Sequence, residues 1–435
     1  MTAKALLPTA ECRLPSFVVL LVDHGYVSGG QSKVAIESAL GLAAAGLRPI
    51  FFCACGPVDP RLAPAGVETI CLDQHDILNH PSRLGASVQG IWNFEAAAAL
   101  GRLLEGLPRE DTIVHVHGWA KALSPSILAP IRASRMPAVY TNHEYFLYCP
   151  NGGFYDFRAN RICHLAPLSA ACWRTACDSR SYPIKLWRNT RLALAKFAGL
   201  ADCFSDFVMI SDLQEQALAA YLPKGARRHR VCNPIEVEPL GEKASGGGEL
   251  LFVGRLSAEK GAPLFAEAAR LAGVTPVFIG DGPIAGELKE RFPEAKMLGW
   301  RDPAGVRAAM RAARALVFPS LWYEGRPLTA LEAKALGTPV VVSDACAARD
   351  DIADGEEGLW FESGDAGSLA QALARLKDDA LAQRLGAAAY RAYWRAPATL
   401  ARHVEETLAV YEAMLAAAGG GRRPPNETSP RSSAV

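Results

Sequence analysis

The chain lacks a long apolar run. Its early hydrophobic stretch, FVVLLV at 17–22, is far too short to span a bilayer and has neither a basic leader nor a small-residue cleavage site, so it reads as a first core strand. It lacks a charge excess as well: 46 Lys plus Arg against 45 Asp plus Glu leave no whole-chain attraction to nucleic acid or to an anionic surface, and any such preference has to be local. Eleven cysteines are present, an odd number in a long chain with no export signal, which argues against a disulfide framework and for reduced thiols or metal ligands. No G-x-G-x-x-G stands between a strand and a helix, and a dehydrogenase reading fails for want of it.

Half of the 435 residues are hydrophobic, enough to bury a large core in two or three domains. Short apolar runs alternate with helical patterns, first through RPIFFCAC, DTIVHVHGW, MPAVYTNHEY and DCFSDFVMIS, then again from ELLFVGRLSAEKG through TPVFIGDGP, RALVFPS and TPVVVS. Strand followed by helix, repeated, is the pattern of a parallel sheet covered on both faces. The expected organisation is a first doubly wound domain over 1–237 with a Cys-rich insertion at about 144–181, and a linker over 238–248. A second domain over 249–395, a returning helix over 396–418 and a disordered tail over 419–435 complete it. Ligands of such sheets bind outside the carboxyl ends of the strands, and two facing domains make a cleft.

The segment WYEGRPLTALEAKALGTPVVVS holds two carboxylates eight positions apart. Pro327 suits a helix start, and Gly337 with Pro339 suits a stop, so a helix is expected over Pro327–Leu336. Glu324 then precedes that helix and Glu332 lies inside it, while the helix N-terminus offers free N–H groups to a phosphate. Two carboxylates flanking a diphosphate site could each accept hydrogen bonds from vicinal hydroxyls, one from a sugar and one from a ribose. FVGRLSAEKG adds Arg255 and Lys260, a planar fork and a point charge suited to a departing diphosphate. IGDGP adds a tight turn with Gly280 and Gly282.

The order of FVGRLSAEKG, IGDGP, LGW, VFPS, WYEGRPLTALEAKALGTPVVVS and DGEEGLWF resembles the second half of the retaining GT-B glycosyltransferases of the GT4 family (glycosyl transferases group 1). GYVSGGQSKVAIESALGLAAAG, HVHGW, YTNHEY and VCNPIE extend the resemblance over roughly 17–418. It implies an α/β GT-B fold, two facing Rossmann-like domains with a cleft between them. It also implies transfer of a sugar from a UDP-, GDP- or ADP-sugar to a saccharide or lipid-linked acceptor, in cell-surface polysaccharide or glycolipid biosynthesis. By that likeness Arg255 and Lys260 bind the diphosphate, Glu324 contacts the transferred sugar and Glu332 binds the ribose. Gly325, Arg326, Pro327 and Leu328 offer backbone amides, Gly29 and Gly30 form the first-domain loop near the phosphates, and His143 stands beside the sugar. Many members read E-G-F-G where this chain has EGRP, which leaves the local contacts and the donor sugar open. No metal is required for catalysis on this reading; the leaving phosphate takes the acceptor proton in a same-face attack. His143 then serves as a positioning hydrogen-bond partner in preference to a general base; His115 and His117 alternate on a strand that could face the cleft, although lone histidines are more often structural. The alternatives are a nucleotide-sugar epimerase or hydrolase on the same scaffold, or a non-catalytic saccharide-binding protein.

Two segments carry signals of their own. Cys149, Cys163, Cys172 and Cys177 lie within about thirty residues and could hold a structural zinc, the alternative being free buried thiols. After them, Arg174, Arg180, Lys185, Arg188, Arg191 and Lys196 interleave with Trp173, Tyr182 and Trp187, a pattern suited to an anionic membrane surface or to a solvated helix face. The expected location is cytoplasmic, at the inner face of the membrane, with no nucleic-acid partner.

Overall fold

The computed structural model describes residues 13–199, 201–244 and 247–419. The tail beyond Gly419, expected as disordered, and two linker positions lie outside the described residues.

The first sheet contains β1 (Phe17–His24), β2 (Arg48–Cys55), β3 (Glu68–Cys71), β4 (Thr112–Val116) and β5 (Ala138–Thr141). A short antiparallel hairpin of β6 (Tyr155–Asp156) and β7 (Arg161–Ile162) stands apart, and β8 (Asp206–Met209) and β9 (Arg227–Arg230) finish the sheet. Its order is β3-β2-β1-β4-β5-β8-β9, with every neighbour parallel. The second sheet holds β10 (Leu250–Val253), β11 (Pro276–Ile279), β12 (Lys296–Met297), β13 (Ala315–Phe318), β14 (Val340–Ser343) and β15 (Gly358–Phe361). Its order is β12-β11-β10-β13-β14-β15, again parallel.

Apolar residues on both faces of the central strands explain the layering. On β1, Val19 and Leu21 join the core on one face while Val18, Leu20 and Val22 join the core on the other. On β10, Leu250 and Phe252 face one way and Leu251 the other. A strand buried on both faces needs helices on both, and crossover helices supply them. In each sheet the strand order reverses beside the first strand, between β1 and β4 and between β10 and β13, and the carboxyl ends of those strands form the switch-point crevice.

The chain crosses between the lobes twice, side by side: the Ile235 N–H donates to the Ala398 carbonyl at 2.9 Å. After the second crossing the helix Leu400–Gly419 returns to the first lobe. There Val410, Tyr411, Met414 and Leu415 complete one face of its core. No helix among the described residues is long and apolar enough to cross a membrane.

Candidate active site

A cavity of about 430 Å³ lies between the two switch points. The first lobe contributes Gly29, Gly30, Gln31 and Lys33 from the start of the helix Gly30–Ala44, His143 from the end of β5, and Asn233 from the first crossing. The second contributes Gly254 and Arg255 after β10, Lys260, Phe318 at the end of β13, residues 324–329 and Glu332.

Glu324 is 7% exposed, and its Oε1 accepts three hydrogen bonds: from Lys260 Nζ at 2.6 Å, Ser320 Oγ at 2.6 Å and Trp322 Nε1 at 2.9 Å. Its backbone sits at φ +47°, the left-handed region that non-glycine residues rarely occupy. Arg255 is exposed, and among the described residues its side chain has no hydrogen-bond or ion-pair partner, so its guanidinium is available to an anion. The helix Leu328–Ala335 begins with Pro327 as its cap rather than as its first turn, and no side chain caps it. The helix Gly30–Ala44 is likewise uncapped by a side chain. Two positive helix ends therefore open toward the space between Arg255 and Lys260. At Gly29 and Gly30 an added Cβ would meet nothing within 4 Å, so the room in front of that loop belongs to the cavity.

Glu332 and Lys33 face each other from opposite lobes. Burial raises the Glu332 carboxyl, and the charges of Lys33 and Arg307 oppose that rise. His143 is held down to about 3 by burial, with His403 adding to the effect. A neutral imidazole of so low a basicity is a poor proton acceptor, and its Nε2 is engaged with His117 Nδ1 at 3.0 Å. His143 thus suits a positioning role.

The two model matches are "Glycosyl transferases group 1" over residues 247–379 and "Glycosyltransferase Family 4" over residues 28–238. The glycogen synthase of Mycobacterium tuberculosis is 34% identical over 396 residues, 85% of this chain and 89% of that protein. The chain belongs to the group 1, family 4 glycosyltransferases. A phosphatidyl-myo-inositol mannosyltransferase of Mycobacterium leprae is 42% identical over 29% of this chain. An Escherichia coli UDP-Gal:alpha-D-GlcNAc-diphosphoundecaprenol alpha-1,3-galactosyltransferase is 31% identical over 36% of it. The matched stretches span only 34% and 45% of those two relatives. Among solved structures, Anabaena HepE in complex with UDP and glucose superposes with a TM-score of 0.64 at 16% identity, covering 92% of this chain and all of that one. The fold is thus the two-lobed GT-B arrangement.

Several expectations need correction in this glycosyltransferase. Gly280 and Gly282 do not line the cavity. A Cβ on either would run into the backbone carbonyl of Gly254 or Leu256, so they permit the close packing that shapes the loop after β10. The Arg326 guanidinium is taken by Asp351 through Nε at 3.0 Å and Nη2 at 2.6 Å, which makes it a brace for the loop rather than a free donor ligand. His115 does not face the cleft: it is buried between Thr141 Oγ1 and Tyr411 OH, both at 2.7 Å. The four cysteines do share a neighbourhood, yet no three His, Cys, Asp or Glu side chains among the described residues stand where they could hold a metal ion. Cys172 Sγ accepts from Lys185 Nζ at 3.3 Å and Cys177 Sγ from Asn151 Nδ2 at 3.0 Å, so donors already occupy two of the sulfurs. The basic segment is only partly at the surface. Lys185 and Arg191 are buried, and Arg188 pairs with Asp178, which leaves Arg174, Arg180 and Lys196 exposed.

Sequence reasoning missed Lys33, Gln31, Asn233, Ser320 and Trp322. Ser320 and Trp322 lie four and two positions before Glu324 in the quoted stretch VFPS to WYEG, so their closeness in sequence was an available signal. Asn233 stands in the quoted VCNPIE, and Gln31 and Lys33 in the quoted GYVSGGQSKV, so those motifs were the available signal for them.

Proposed function

We propose that the protein is a retaining glycosyltransferase that moves a sugar from a nucleotide-sugar donor to a saccharide or lipid-linked acceptor in cell-surface polysaccharide or glycolipid biosynthesis. One observation carries this reading: Arg255, Lys260, Glu324 and Glu332 from one lobe meet Gly29, Gly30 and His143 from the other around a single cavity. In that reading the second lobe holds the donor and the first receives the acceptor. The bond to the diphosphate breaks with charge building on the leaving phosphate, and in this reading Arg255, Lys260 and the two helix N-termini on the same cavity stabilise that charge. Glu324 accepts hydrogen bonds from hydroxyls of the transferred sugar, Glu332 from the ribose, and neutral His143 orients the sugar beside the reaction centre. The acceptor hydroxyl attacks from the face the phosphate leaves, and the phosphate takes its proton. The E. coli relative is named for a lipid-diphosphate acceptor, which supports a lipid-linked acceptor here.

A membrane-surface location accompanies this function. Phe197 is 93% exposed beside Lys196, with Leu194 and Tyr182 also exposed on the same helix. Cosedimentation with anionic vesicles, lost in Phe197→Ser, tests it.

The donor assignment is tested by thermal stabilisation and calorimetry with UDP-, GDP- and ADP-sugars on the wild type, Glu324→Ala and Lys260→Ala. One nucleotide sugar should bind the wild type and weaken in both variants. Binding that ignores both residues, or no binding, sinks the assignment and favours the non-catalytic alternative; donor hydrolysis without acceptor dependence favours a hydrolase.

A further inference from the structure

The Cys-rich insertion has no part in the reaction as drawn above, yet it touches the catalytic loop. Directly after His143 the chain makes a turn over 145–152, closed by Cys149 N–H donating to the Tyr145 carbonyl at 2.8 Å and Gly152 N–H to the Cys149 carbonyl at 2.9 Å. From this turn Tyr145, 1% exposed, sends its hydroxyl to the backbone carbonyl of Glu324 at 2.8 Å, across 179 residues of sequence and from one lobe to the other. One residue past the turn, Gly153 lies against the Trp322 indole so closely that a Cβ would stand 2.9 Å from its Cε3. Trp322 in turn donates to Glu324 Oε1. The turn therefore reaches Glu324 at both ends, its carbonyl through Tyr145 and its carboxylate through Trp322. Gly325, the next residue, is closed over by the first lobe as well, since a Cβ there would lie 3.1 Å from the His143 carbonyl oxygen. A glutamate at φ +47° persists only where its surroundings over-determine it, and these contacts are surroundings of that kind.

We propose that the turn over 145–153 is an inter-lobe clamp that positions Glu324, with Tyr145 as its positioning residue. The carboxylate is then in its working orientation only while the first lobe is closed on the second, which links lobe closure to the competence of the site. This rests on the reading of Glu324 as the carboxylate that contacts the transferred sugar.

Tyr145→Phe keeps the ring and its packing and removes only the hydroxyl. Hydrogen exchange is measured first, because it needs no substrate: the amides of 320–328 should exchange at least threefold faster in the variant while the thermal midpoint stays within a few degrees. Loss of a buried carbonyl's partner is worth roughly a tenfold change in an equilibrium, so kcat should fall by about that factor. The donor Kd from calorimetry should stay within twofold. In a Glu324→Gln background the same change should cause no further loss of turnover, because Tyr145 acts through Glu324. Unchanged exchange over 320–328, or losses that simply add in the double variant, overturns the clamp. If Tyr145→Phe fails to fold, Trp322→Phe, which removes the indole donor to Glu324, is read in the same way. A wild type that transfers no sugar refutes the glycosyltransferase reading, whereas the exchange experiment still decides the clamp.

Discussion

Lys260 pairs with Glu324, and this makes opposite predictions for the two partners. The ammonium lies 2.6 Å from Glu324 Oε1, with the lysine side chain 27% exposed and the carboxylate side chain 9% exposed. A diphosphate entering the cavity has to share Lys260 with that carboxylate. Glu324→Gln removes the competing charge but retains an oxygen for Ser320 Oγ and Trp322 Nε1, so the loop remains satisfied. A charge-assisted hydrogen bond contributes about 1.5–3 kcal/mol, and the partial exposure of Lys260 argues for the lower end. Release of about 1 kcal/mol to the ligand tightens binding roughly fivefold. Lys260→Met should instead weaken the same ligand by about tenfold and flatten its salt dependence. Calorimetry with free UDP, GDP and ADP at two salt concentrations reads both effects without any acceptor. For the diphosphate that binds, the expected order is Glu324→Gln tightest, wild type next and Lys260→Met weakest. Equal weakening in both variants would refute the reasoning, because it would mean that the ion pair holds the site's shape and that Lys260 does not meet the phosphate.

The glycines separate shape from room. Gly280→Ala should lower the unfolding midpoint because its Cβ strikes the Gly254 carbonyl at φ +132°, whereas Gly29→Ala should leave the midpoint unchanged and weaken donor binding by filling open cavity space. Differential scanning with parallel calorimetry checks both. Acid stability depends on Asp206: burial pushes its carboxyl up, but His229, Arg227 and Ser205 outweigh burial and hold it at about 2, below the ordinary 3.8. Its stabilisation is complete above about pH 4 and is lost as pH falls through about 2, a contribution on the order of 2 kcal/mol. Urea titrations of Asp206→Asn at pH 7 and pH 2 should show most of the wild-type advantage at the higher value only. His115, held down to about 3 by burial with His143 and His403 contributing, is neutral in the folded protein and charges on unfolding below about 6.5. The wild-type midpoint should therefore fall from pH 6.5 downward, with a shallower slope in His115→Asn; an unchanged slope would place the acid sensitivity elsewhere.

Strands, and the gathering of Arg255, Lys260, Glu324 and Glu332 around one cavity, were legible because their signals are local. FVVLLV needs helices on both faces wherever it folds, and Arg255 follows β10 directly while Glu324 and Glu332 flank the start of one helix after β13, so the parallel pairing of β10 with β13 brings them to one crevice. The Arg326 side chain was not legible, because its partner, Asp351, lies 25 positions away and could not be paired with it from spacing alone. Gly280 and Gly282 misled for a related reason: a glycine turn beside a phosphate and a glycine turn beside another backbone look alike in sequence. Lys33 was within sight, three positions after Gly30, but its facing partner Glu332 belongs to the other lobe. Tyr145 acts through a contact between lobes, its hydroxyl on the Glu324 carbonyl, which a reading by local pattern does not reach.

The helix Leu400–Gly419 closes the core of a lobe that began nearly four hundred residues earlier. Tyr411 holds His115, and His403 joins Ser38 Oγ at 2.7 Å to the Cys232 carbonyl at 2.6 Å. As the chain emerges from the ribosome, residues 17–237 therefore have no complete lobe to fold into: the helix Gly30–Ala44 covers part of one hydrophobic face of their sheet, and the part that Val410, Tyr411, Met414 and Leu415 cover waits bare while the whole of the second lobe is synthesised. Order of synthesis and order of completion are reversed, the later lobe being able to finish first, and a ribosome stalled before residue 403 would display that bare face to chaperones or to aggregation.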